Sequence, residues 1–239
     1  MKQEWFERWF GERYKALYPH RNEKQALDQV NALMAACSAS PSWNILDVGC
    51  GSGRHLQSFR KTGFQKSCGI DLSPFLLRDA RAAGLSVARA DMRRLPFPSA
   101  TFDLLASFFT SFGYFATRDE DVSALREFCR LVRPDGFVFL DLPNPDLLMQ
   151  SLVHRDTRKV GNETIEVERF LDGDQVVKRI RCGNGGDIYE ERVRLYSLAD
   201  LKPILQNLNL TLSRLFGDEH GTDFSPGTSP RMGLLMRRG

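Results

Sequence analysis

The stretch that decides the fold is ILDVGCGSGRHL, residues 45–56. A short apolar run ends near the carboxylate of Asp47, and glycines follow at alternate positions, Gly49, Gly51 and Gly53. The spacing is close to the dinucleotide-binding pattern G-x-G-x-x-G, but Arg54 stands where its third glycine would be. The stretch therefore predicts a strand, a glycine turn and a helix that bind a nucleotide-like ligand without the usual phosphate cradle.

Strand-like and helix-like segments alternate around this turn. Short apolar segments lie at residues 43–49, 66–71, 86–91, 102–109 and 137–142, and helical patterns separate them. Ser73 followed by Pro74 is a typical helix start. Because strands joined by helices of this length form right-handed crossovers, the pattern predicts a doubly wound, Rossmann-like α/β core with helices on both faces of a parallel sheet.

The remainder of the chain predicts three further parts. Two helices, about residues 3–17 and 23–37, precede the core. After Pro145 the polarity alternates between turn-forming segments, which is typical of a small antiparallel sheet of about three strands. We therefore predict an N-terminal helical cap over residues 1–40, the ligand-binding core over 41–150, an antiparallel β insertion that covers the pocket over 151–197, and completion of the core sheet over 198–239.

Composition narrows the class of protein. The 239 residues are 42% hydrophobic and 26% charged, and 33 basic against 30 acidic residues give a net charge of +3. This balance disfavours a nucleic-acid partner. The first twenty residues mix charges with aromatics, so we expect neither a signal peptide nor a membrane span. Five scattered cysteines without a C-x-x-C pair predict no metal site, no disulfide framework and a cytoplasmic location.

Acidic residues follow the next two strands of the core. Asp71 ends the second strand, where a carboxylate can accept hydrogen bonds from both hydroxyls of a ribose, and Asp91 ends the third, near an adenine edge. A single aspartate at such a place is more often a turn former, but the preceding glycine turn favours a ligand. Clustered carboxylates suit a cationic ligand better than a polyphosphate. S-adenosylmethionine, a nucleoside with an ammonium and a sulfonium, fits this description.

Five motifs occur in a fixed order over about residues 43–142: ILDVGCGSG, GIDLSP, ARADMRRLPF, FDLLASFF and LREFCRLVRPDGFVFLD. In them the sequence resembles class I S-adenosylmethionine-dependent methyltransferases. The flanking segments FGERYKALYPHR, FFTSFGYF and SPRMGLLMRR resemble a bacterial branch that methylates small molecules. The resemblance implies a seven-stranded sheet in the order 3-2-1-4-5-7-6 with the seventh strand antiparallel. It also implies S-adenosylmethionine as methyl donor, S-adenosylhomocysteine as product and a small-molecule acceptor, with nitrogen slightly favoured over oxygen or carbon.

The resemblance also implies a set of cofactor positions. The first turn surrounds the methionine part, the end of the second strand takes the ribose, the end of the third takes the adenine, and the end of the fourth lies beside the methyl group. In that order the residues are Asp47, Gly49, Cys50 and Gly51; Asp71 and Leu72; Asp91 and Met92; and Ser107 and Phe108. Apart from the resemblance, Tyr14, Tyr18 and Arg21 of the N-terminal cap either fold over the cofactor, with Arg21 reaching its carboxylate, or belong to a simple amphipathic capping helix. His55 either faces the cofactor or lies on the helix surface.

Catalytic residues are not assigned by the sequence. Methyl transfer from a sulfonium is an in-line displacement that needs alignment and exclusion of water, and it needs a base only if the acceptor arrives protonated. The candidates for such a role are Tyr114, Asn144, His220 and Arg231. In the segment FFTSFGYF, the aromatic residues Phe109, Phe112 and Tyr114 either enclose the reacting centre or pack in the core.

Alternative functions stay open at this point. The N/D-P-P-Y/F motif of nucleic-acid amino methylases is missing after the fourth strand, which disfavours a DNA adenine methylase. An RNA methyltransferase would use Arg89, Arg93 and Arg94, which crowd one rim. A protein that binds the cofactor without transferring methyl is a further alternative, and the glycine register disfavours a nicotinamide oxidoreductase. We expect a monomer or a homodimer.

Overall fold

The computed structural model of the protein describes residues 4–18, 22–183 and 186–239. Seven strands form the central sheet: β1 (Ile45–Val48), β2 (Ser67–Asp71), β3 (Val87–Arg89), β4 (Phe102–Ser107), β5 (Val132–Pro143), β10 (Leu210–Phe216) and β11 (Arg231–Arg238). Their order is β3-β2-β1-β4-β5-β11-β10. β11 runs antiparallel to both of its neighbours, and the remaining pairs are parallel. Counted within this sheet the order is 3-2-1-4-5-7-6, so the predicted fold class is confirmed.

Eight helices lie within the described residues: α1 (Trp5–Trp9), α2 (Glu12–Leu17), α3 (Glu23–Ala36), α4 (Arg54–Lys61), α5 (Pro74–Ala82), α6 (Arg118–Leu131), α7 (Pro145–Gln150) and α8 (Leu198–Asn207). The sheet separates two hydrophobic clusters. Ile45 of β1 packs in the cluster that includes Leu33 of α3, whereas its neighbour Leu46 packs in the cluster that includes Phe128 of α6. Successive strand residues therefore point to opposite faces, and both faces are covered by helices.

The cap differs from its prediction. Residues 3–17 were expected to form one helix, but α1 ends at Trp9 and α2 begins at Glu12. Gly11 is the N-cap of α2 and has extended backbone angles, φ −126° and ψ −154°. The break follows from this residue, because glycine is the least helix-favouring residue after proline.

The insertion forms a separate antiparallel sheet of four strands: β6 (Arg155–Val160), β7 (Glu163–Asp172), β8 (Gln175–Cys182) and β9 (Ile188–Arg194). The expectation of about three strands was therefore wrong. The sequence does not predict β6 as a strand, because its residues, RDTRKV, are mostly charged. Its pairing with β7 is accompanied by a cross-strand ion pair between Arg155 and Glu168 at 3.0 Å. We call these four strands the second sheet.

The second sheet packs against the cap. Trp9 and Leu17 are buried in one cluster with Ile165, Val167 and Ile180 of β7 and β8. The Nε1–H of Trp9 also donates to Glu191 Oε1 at 2.7 Å. The cap is thus held between the second sheet and the core.

The fold predicts a strong dependence of stability on the centre of the sheet. Leu105 of β4 is completely buried, whereas Leu212 of β10 is 41% exposed. We expect Leu105→Ala to lower the free energy of unfolding by about 2–5 kcal/mol, because it leaves a cavity. The matched substitution Leu212→Ala should change it by about 0.5 kcal/mol or less. Urea unfolding of the two variants measures both values, and equal losses would contradict this assignment of the core.

Candidate functional site

A cavity of about 520 Å³ lies at the carboxyl ends of β1, β2 and β4. This is the edge of an open α/β sheet where ligands bind, and the volume is within the range of small-molecule sites. Most of the predicted cofactor residues line it: Tyr14, Tyr18, Gly49, Cys50, Gly51, His55, Asp71, Leu72, Asp91, Met92 and Phe108. Arg21 lies outside the described residues. Folding therefore brings residues that are up to about ninety positions apart in the sequence to one cavity.

The glycine turn between β1 and α4 requires glycine for two reasons. Gly49 and Gly51 have φ angles of +75° and +54°, which side chains rarely adopt. A Cβ at Gly49 would lie 2.6 Å from the Cβ of Ser111, so the loop after β4 approaches too closely for a side chain. A Cβ at Gly51 would meet no protein atom nearer than Leu76 Cδ1 at 3.7 Å. The turn therefore leaves its backbone open toward the cavity at Gly51.

Asp71 shapes this turn as well as lining the cavity. Its Oδ2 accepts the Gly51 N–H at 2.9 Å, and its Oδ1 accepts the Ser73 N–H at 2.7 Å. Burial raises the pKa of Asp71, while the bonds from Ser73 and Gly51 oppose that rise. Because each carboxylate oxygen can accept a second hydrogen bond, the group retains capacity for a ligand hydroxyl.

Asp47 lies beneath the turn and does not line the cavity. It is 1% exposed, and its Oδ2 has no hydrogen-bond partner within the described residues. Burial and the nearby charge of Asp71 raise the pKa of Asp47 to about 8, although Arg54 opposes the rise. A buried acid of this kind is satisfied by a positive charge in the cavity. The donor set therefore fits the ammonium and sulfonium of S-adenosylmethionine better than a phosphate.

Ser107 also lies beneath the lining. It ends β4, is 1% exposed, and its Oγ has no partner among the residues that the structure describes. Its neighbour Phe108 does line the cavity. Of the two residues predicted to lie beside the methyl group, Phe108 therefore lines the cavity and Ser107 is buried behind the lining.

Asp91 does not end a strand as predicted, because β3 stops at Arg89. The carboxylate is bound by the Arg93 guanidinium, whose Nη2 lies 2.6 Å from Oδ2. Burial acts in the opposite direction, but the bonds from Arg93 lower the pKa of Asp91. Arg93 also pairs with Glu120 at 2.7 Å and Glu4 at 3.5 Å. The positive charge of Arg93 is therefore balanced by carboxylates of the protein itself.

His55 is not on the helix surface, and that alternative was wrong. It is buried, its ring stacks on Phe108 with 3.9 Å between centroids, and its Nε2 lies 3.1 Å from Gln29 Oε1. Gln29 in turn donates to Asp141 Oδ2 at 3.0 Å. Asp141 also accepts the Nε–H of Arg231 at 2.8 Å. A buried polar network thus supports the wall from behind.

Of the four catalytic candidates, Tyr114 lines the cavity. Asn144 is instead the N-cap of α7, where its side chain donates to the carbonyls of Pro226 and Ser229. His220 is exposed and lies 3.6 Å from Asp28. Arg231 is bound to Asp141, as described above. These three residues, predicted at the upper rim of the sheet, are not among the residues that line the cavity, since an upper-rim position in the sequence does not show which way a side chain points.

The aromatic segment after β4 serves both of its predicted uses. Phe109 and Tyr114 line the cavity, whereas Phe112 is 1% exposed and packs in the core. Sequence reasoning missed Phe6 and Phe10, which line the cavity from α1 and the residue that follows it. The aromatic residues of WFERWF were a usable signal, because a cap rich in aromatics at this spacing has an apolar face to bury.

The cap contributes aromatic side chains to the cavity lining. Phe6, Phe10, Tyr14 and Tyr18 line the cavity, whereas no described residue of the second sheet does so. The insertion over residues 151–197 stays a predicted cover, since its described residues pack against the cap that lines the cavity. The second sheet contacts one of these lining residues, because Glu191 of β9 accepts a hydrogen bond from the Tyr18 hydroxyl at 2.9 Å.

Two features are absent from the part of the chain that the structure describes. No helix within them has the length and apolar content that crossing a membrane requires. The same residues contain no group of three or more His, Cys, Asp or Glu side chains placed to hold a metal ion.

Comparison with known proteins identifies the domain. Residues 45–136 match the family model described as a methyltransferase domain. A putative 23S rRNA (guanine-N(1)-)-methyltransferase of Bacillus subtilis is 33% identical over 144 residues, 56% of this chain and 46% of that protein. A dTDP-3-amino-3,4,6-trideoxy-alpha-D-glucopyranose N,N-dimethyltransferase of Streptomyces venezuelae is 30% identical over 131 residues, 54% of each protein. The chain thus spans about half the length of these relatives.

The fold comparison covers more of the chain. The crystal structure of an S-adenosylmethionine-dependent methyltransferase from Clostridium acetobutylicum superposes with a TM-score of 0.78. The alignment covers 94% of this chain and 95% of that one at 18% sequence identity, so it shows a shared fold. The glycine turn, Asp71 and Asp91 all lie within residues 45–136, the part of the chain that matches a methyltransferase domain, and the fold around them is shared with an S-adenosylmethionine-dependent methyltransferase.

Proposed function

We propose that the protein transfers a methyl group from S-adenosylmethionine to a small-molecule acceptor, with nitrogen slightly favoured over oxygen or carbon. The observation that carries the proposal is the convergence of the glycine turn, Asp71 and Asp91 on one cavity roofed by aromatic side chains. S-adenosylhomocysteine is the product. The proposal includes a cytoplasmic protein that acts as a monomer or homodimer, in keeping with five cysteines that are all free.

Different residues of the chain bind different parts of the cofactor. When bound, S-adenosylmethionine supplies an electrophilic methyl group on a positively charged sulfur. Asp71 accepts hydrogen bonds from the ribose, Asp91 and Met92 lie at the adenine, and Asp47 supplies negative charge behind the turn. Phe10 and Tyr14 exclude water from above, which favours an in-line displacement. No residue has to act as an acid.

The shape of the cavity supports a small acceptor. Aromatic rings of the cap and of the loop after β4 contact each other around the cavity: Phe10 and Tyr14 of the cap have ring centroids 4.8 Å apart at 81°, and Phe10 and Tyr114 of that loop have centroids 5.8 Å apart at 25°. A base within a folded RNA would have to pass these rings. The Streptomyces venezuelae relative, named as an amino-sugar N,N-dimethyltransferase, supports both a small acceptor and nitrogen.

An RNA acceptor is the second candidate, because the Bacillus subtilis relative is named as a putative rRNA methyltransferase. Two observations weigh against it. Arg93 is engaged by three carboxylates, as described above. On the second sheet, Arg179 lies between Glu168 and Glu190, so its basic charge is balanced locally. Nucleic-acid surfaces instead present an excess of unmatched basic charge.

Methyl transfer can be tested directly. The protein is incubated with tritium-labelled S-adenosylmethionine and either a panel of small amines, phenols and carboxylates or total bacterial RNA. We expect label on members of the small-molecule panel, amines first. Label on RNA with none on the panel would favour the second candidate. Cofactor binding without any labelled product would favour a protein that binds the cofactor but does not transfer methyl.

Cofactor identity is tested by calorimetric titration with S-adenosylmethionine, S-adenosylhomocysteine and NADH. We expect the first two to bind and NADH to bind far more weakly, because its pyrophosphate would meet the carboxylate of Asp71, with Asp47 behind the turn. Preferential binding of NADH would overturn the proposal.

The carboxylate of Asp71 should dominate cofactor affinity. We expect Asp71→Ala to weaken binding of S-adenosylhomocysteine by about 1.5–3 kcal/mol, through lost ribose bonds to a charged acceptor. The matched control is Asp119→Ala, which removes an exposed acid outside the cavity. Calorimetry gives both affinities, and circular dichroism checks that each variant is folded. An unchanged affinity in Asp71→Ala would remove this residue from the site.

Binding should release a proton from Asp47. Its pKa is raised to about 8, so the group is mostly protonated at pH 7. A cation in the cavity favours the ionised form and lowers that pKa. Affinity for S-adenosylmethionine should therefore rise with pH up to about 8, by at most about tenfold per pH unit. Titration in buffers of different ionisation enthalpy measures the release. Asp47→Asn should lack this component, and equal proton release in both proteins would contradict the assignment.

A further inference from the structure

We infer that the second sheet positions the acceptor wall of the cavity from behind, through Arg194 of β9. The inference rests on the proposed function, since it names the element that shapes the wall of that same site. No described residue of the second sheet lines the cavity. Its influence on an acceptor therefore has to pass through residues that do line it.

The wall in question is the loop of residues 108–117, which we call the β4 loop. It contributes Phe109, Ser111, Tyr114 and Phe115 to the cavity in addition to Phe108. Phe109 and Thr110 have positive φ angles of 52° and 63°, which are disfavoured for residues with side chains. A loop in this conformation depends on contacts with its surroundings.

The first half of the β4 loop is held by the core. The Phe109 N–H donates to Asp141 Oδ2 at 2.8 Å, and the Thr110 N–H donates to the Asp141 carbonyl at 2.9 Å. Arg231 of β11 donates to Thr110 Oγ1 at 2.8 Å. All of these partners belong to strands of the seven-stranded sheet.

The second half is held from outside that sheet. Four successive carbonyls of the loop, those of residues 113–116, accept hydrogen bonds from the cap and the second sheet. Arg194 donates three of these bonds: its backbone N–H to Gly113 at 2.7 Å, its Nη1 to Phe115 at 3.3 Å and its Nη2 to Ala116 at 3.0 Å. Trp5 Nε1 donates to Tyr114 at 3.2 Å, and Gln175 Nε2 donates to Phe115 at 3.2 Å. Arg194 thus contacts the loop on both sides of Tyr114, with its backbone before that residue and its guanidinium after it.

The side chain of Arg194 is suited to this task. It is 4% exposed, and it forms ion pairs with Asp174 at 3.0 Å and with Asp121, which is fully buried. Asp121 also accepts the Tyr196 hydroxyl at 2.8 Å. A buried ion pair adds little net stability compared with apolar packing, because desolvation offsets the attraction. Its planar guanidinium does fix the direction of each partner, so the contribution of Arg194 is geometric.

The loop has no room to move toward β9. Gly113 has a φ of +90°, and a Cβ on it would lie 3.0 Å from the Arg194 carbonyl oxygen. The contact between loop and strand is therefore already at its closest approach. Loss of the Arg194 guanidinium would remove its bonds to the carbonyls of Phe115 and Ala116 and weaken the hold on the segment beside Tyr114, while Phe109 and Thr110 stay bonded to Asp141. Arg194 is a positioning residue for the acceptor side.

The test reads the position of Tyr114 by ¹⁹F NMR of protein labelled with 3-fluorotyrosine, in which Tyr114→Phe assigns the resonance. We expect Arg194→Met to shift or broaden the Tyr114 signal and Arg194→Lys to restore it in part. The matched control is Arg192→Met on the same strand, whose side chain pairs at the surface with Asp172 and Glu190. This control should leave the Tyr114 signal unchanged.

Two further measurements separate the inference from the proposed function. In Arg194→Met, affinity for S-adenosylhomocysteine should stay within about twofold of the parent, whereas kcat/KM for an acceptor found in the labelling panel should fall on the order of tenfold to a hundredfold. An unmoved Tyr114 signal in folded Arg194→Met would overturn the inference. If that variant does not fold, Gln175→Leu, which removes one donor to Phe115, is read by the same criterion. Failure of the parent protein to bind S-adenosylhomocysteine would count against the proposed function alone, because the Tyr114 signal is read without ligand.

Discussion

The hydrogen bond from the Gly51 N–H to the Asp71 carboxylate is the contact on which the site depends. It joins the turn after β1 to the end of β2, and the second oxygen of the same carboxylate binds the N–H of Ser73 at the start of α5. The N–H groups of Gly49 and Cys50 donate to the Ile70 carbonyl of the same strand at 2.8 and 3.0 Å, so the bond to Asp71 completes the attachment of the turn to β2. The carboxylate proposed to bind the ribose is therefore also the group that shapes the turn beneath it, and ligand binding and backbone geometry are coupled at one residue.

Electrostatics explain why this turn suits a cation. Asp47 is buried and Asp71 is half-buried, and burial together with the charge of Asp71 raises the pKa of Asp47. A polyphosphate would bring more negative charge to a place that already disfavours it, whereas an ammonium or sulfonium would relieve the repulsion. Arg54 occupies the position of the third glycine in the dinucleotide pattern. Its positive charge favours the ionised form of Asp47, because it opposes the rise in the pKa of that carboxyl.

The two sides of the cavity are held by different parts of the molecule. The turn and the start of the β4 loop rest on the central sheet, while the end of that loop and the roof rest on the cap and the second sheet. The inner contacts to the β4 loop come from Asp141 and Arg231, which lie on paired strands of the core, so their positions tolerate little change without loss of the fold. Most of the outer contacts are side-chain hydrogen bonds to loop carbonyls, and these can change while the core persists. A fold of this kind can keep one cofactor site and vary the acceptor, in line with the general separation of site from scaffold.

The sequence by itself determined the core of this protein and the class of its ligand. Glycine positions, strand-ending acids and the order of motifs are local features, and the prediction of a class I S-adenosylmethionine-dependent methyltransferase domain is confirmed. What the tertiary structure decided was the orientation of side chains whose partners lie far along the chain. His55 is buried because Gln29 and Phe108 meet it from different elements, and Asn144 is turned away because it caps α7 against residues 226 and 229. Arg194 reaches the β4 loop across about eighty positions. Periodicity shows that such a residue lies on a helix or strand, but only packing in three dimensions decides which neighbour it contacts.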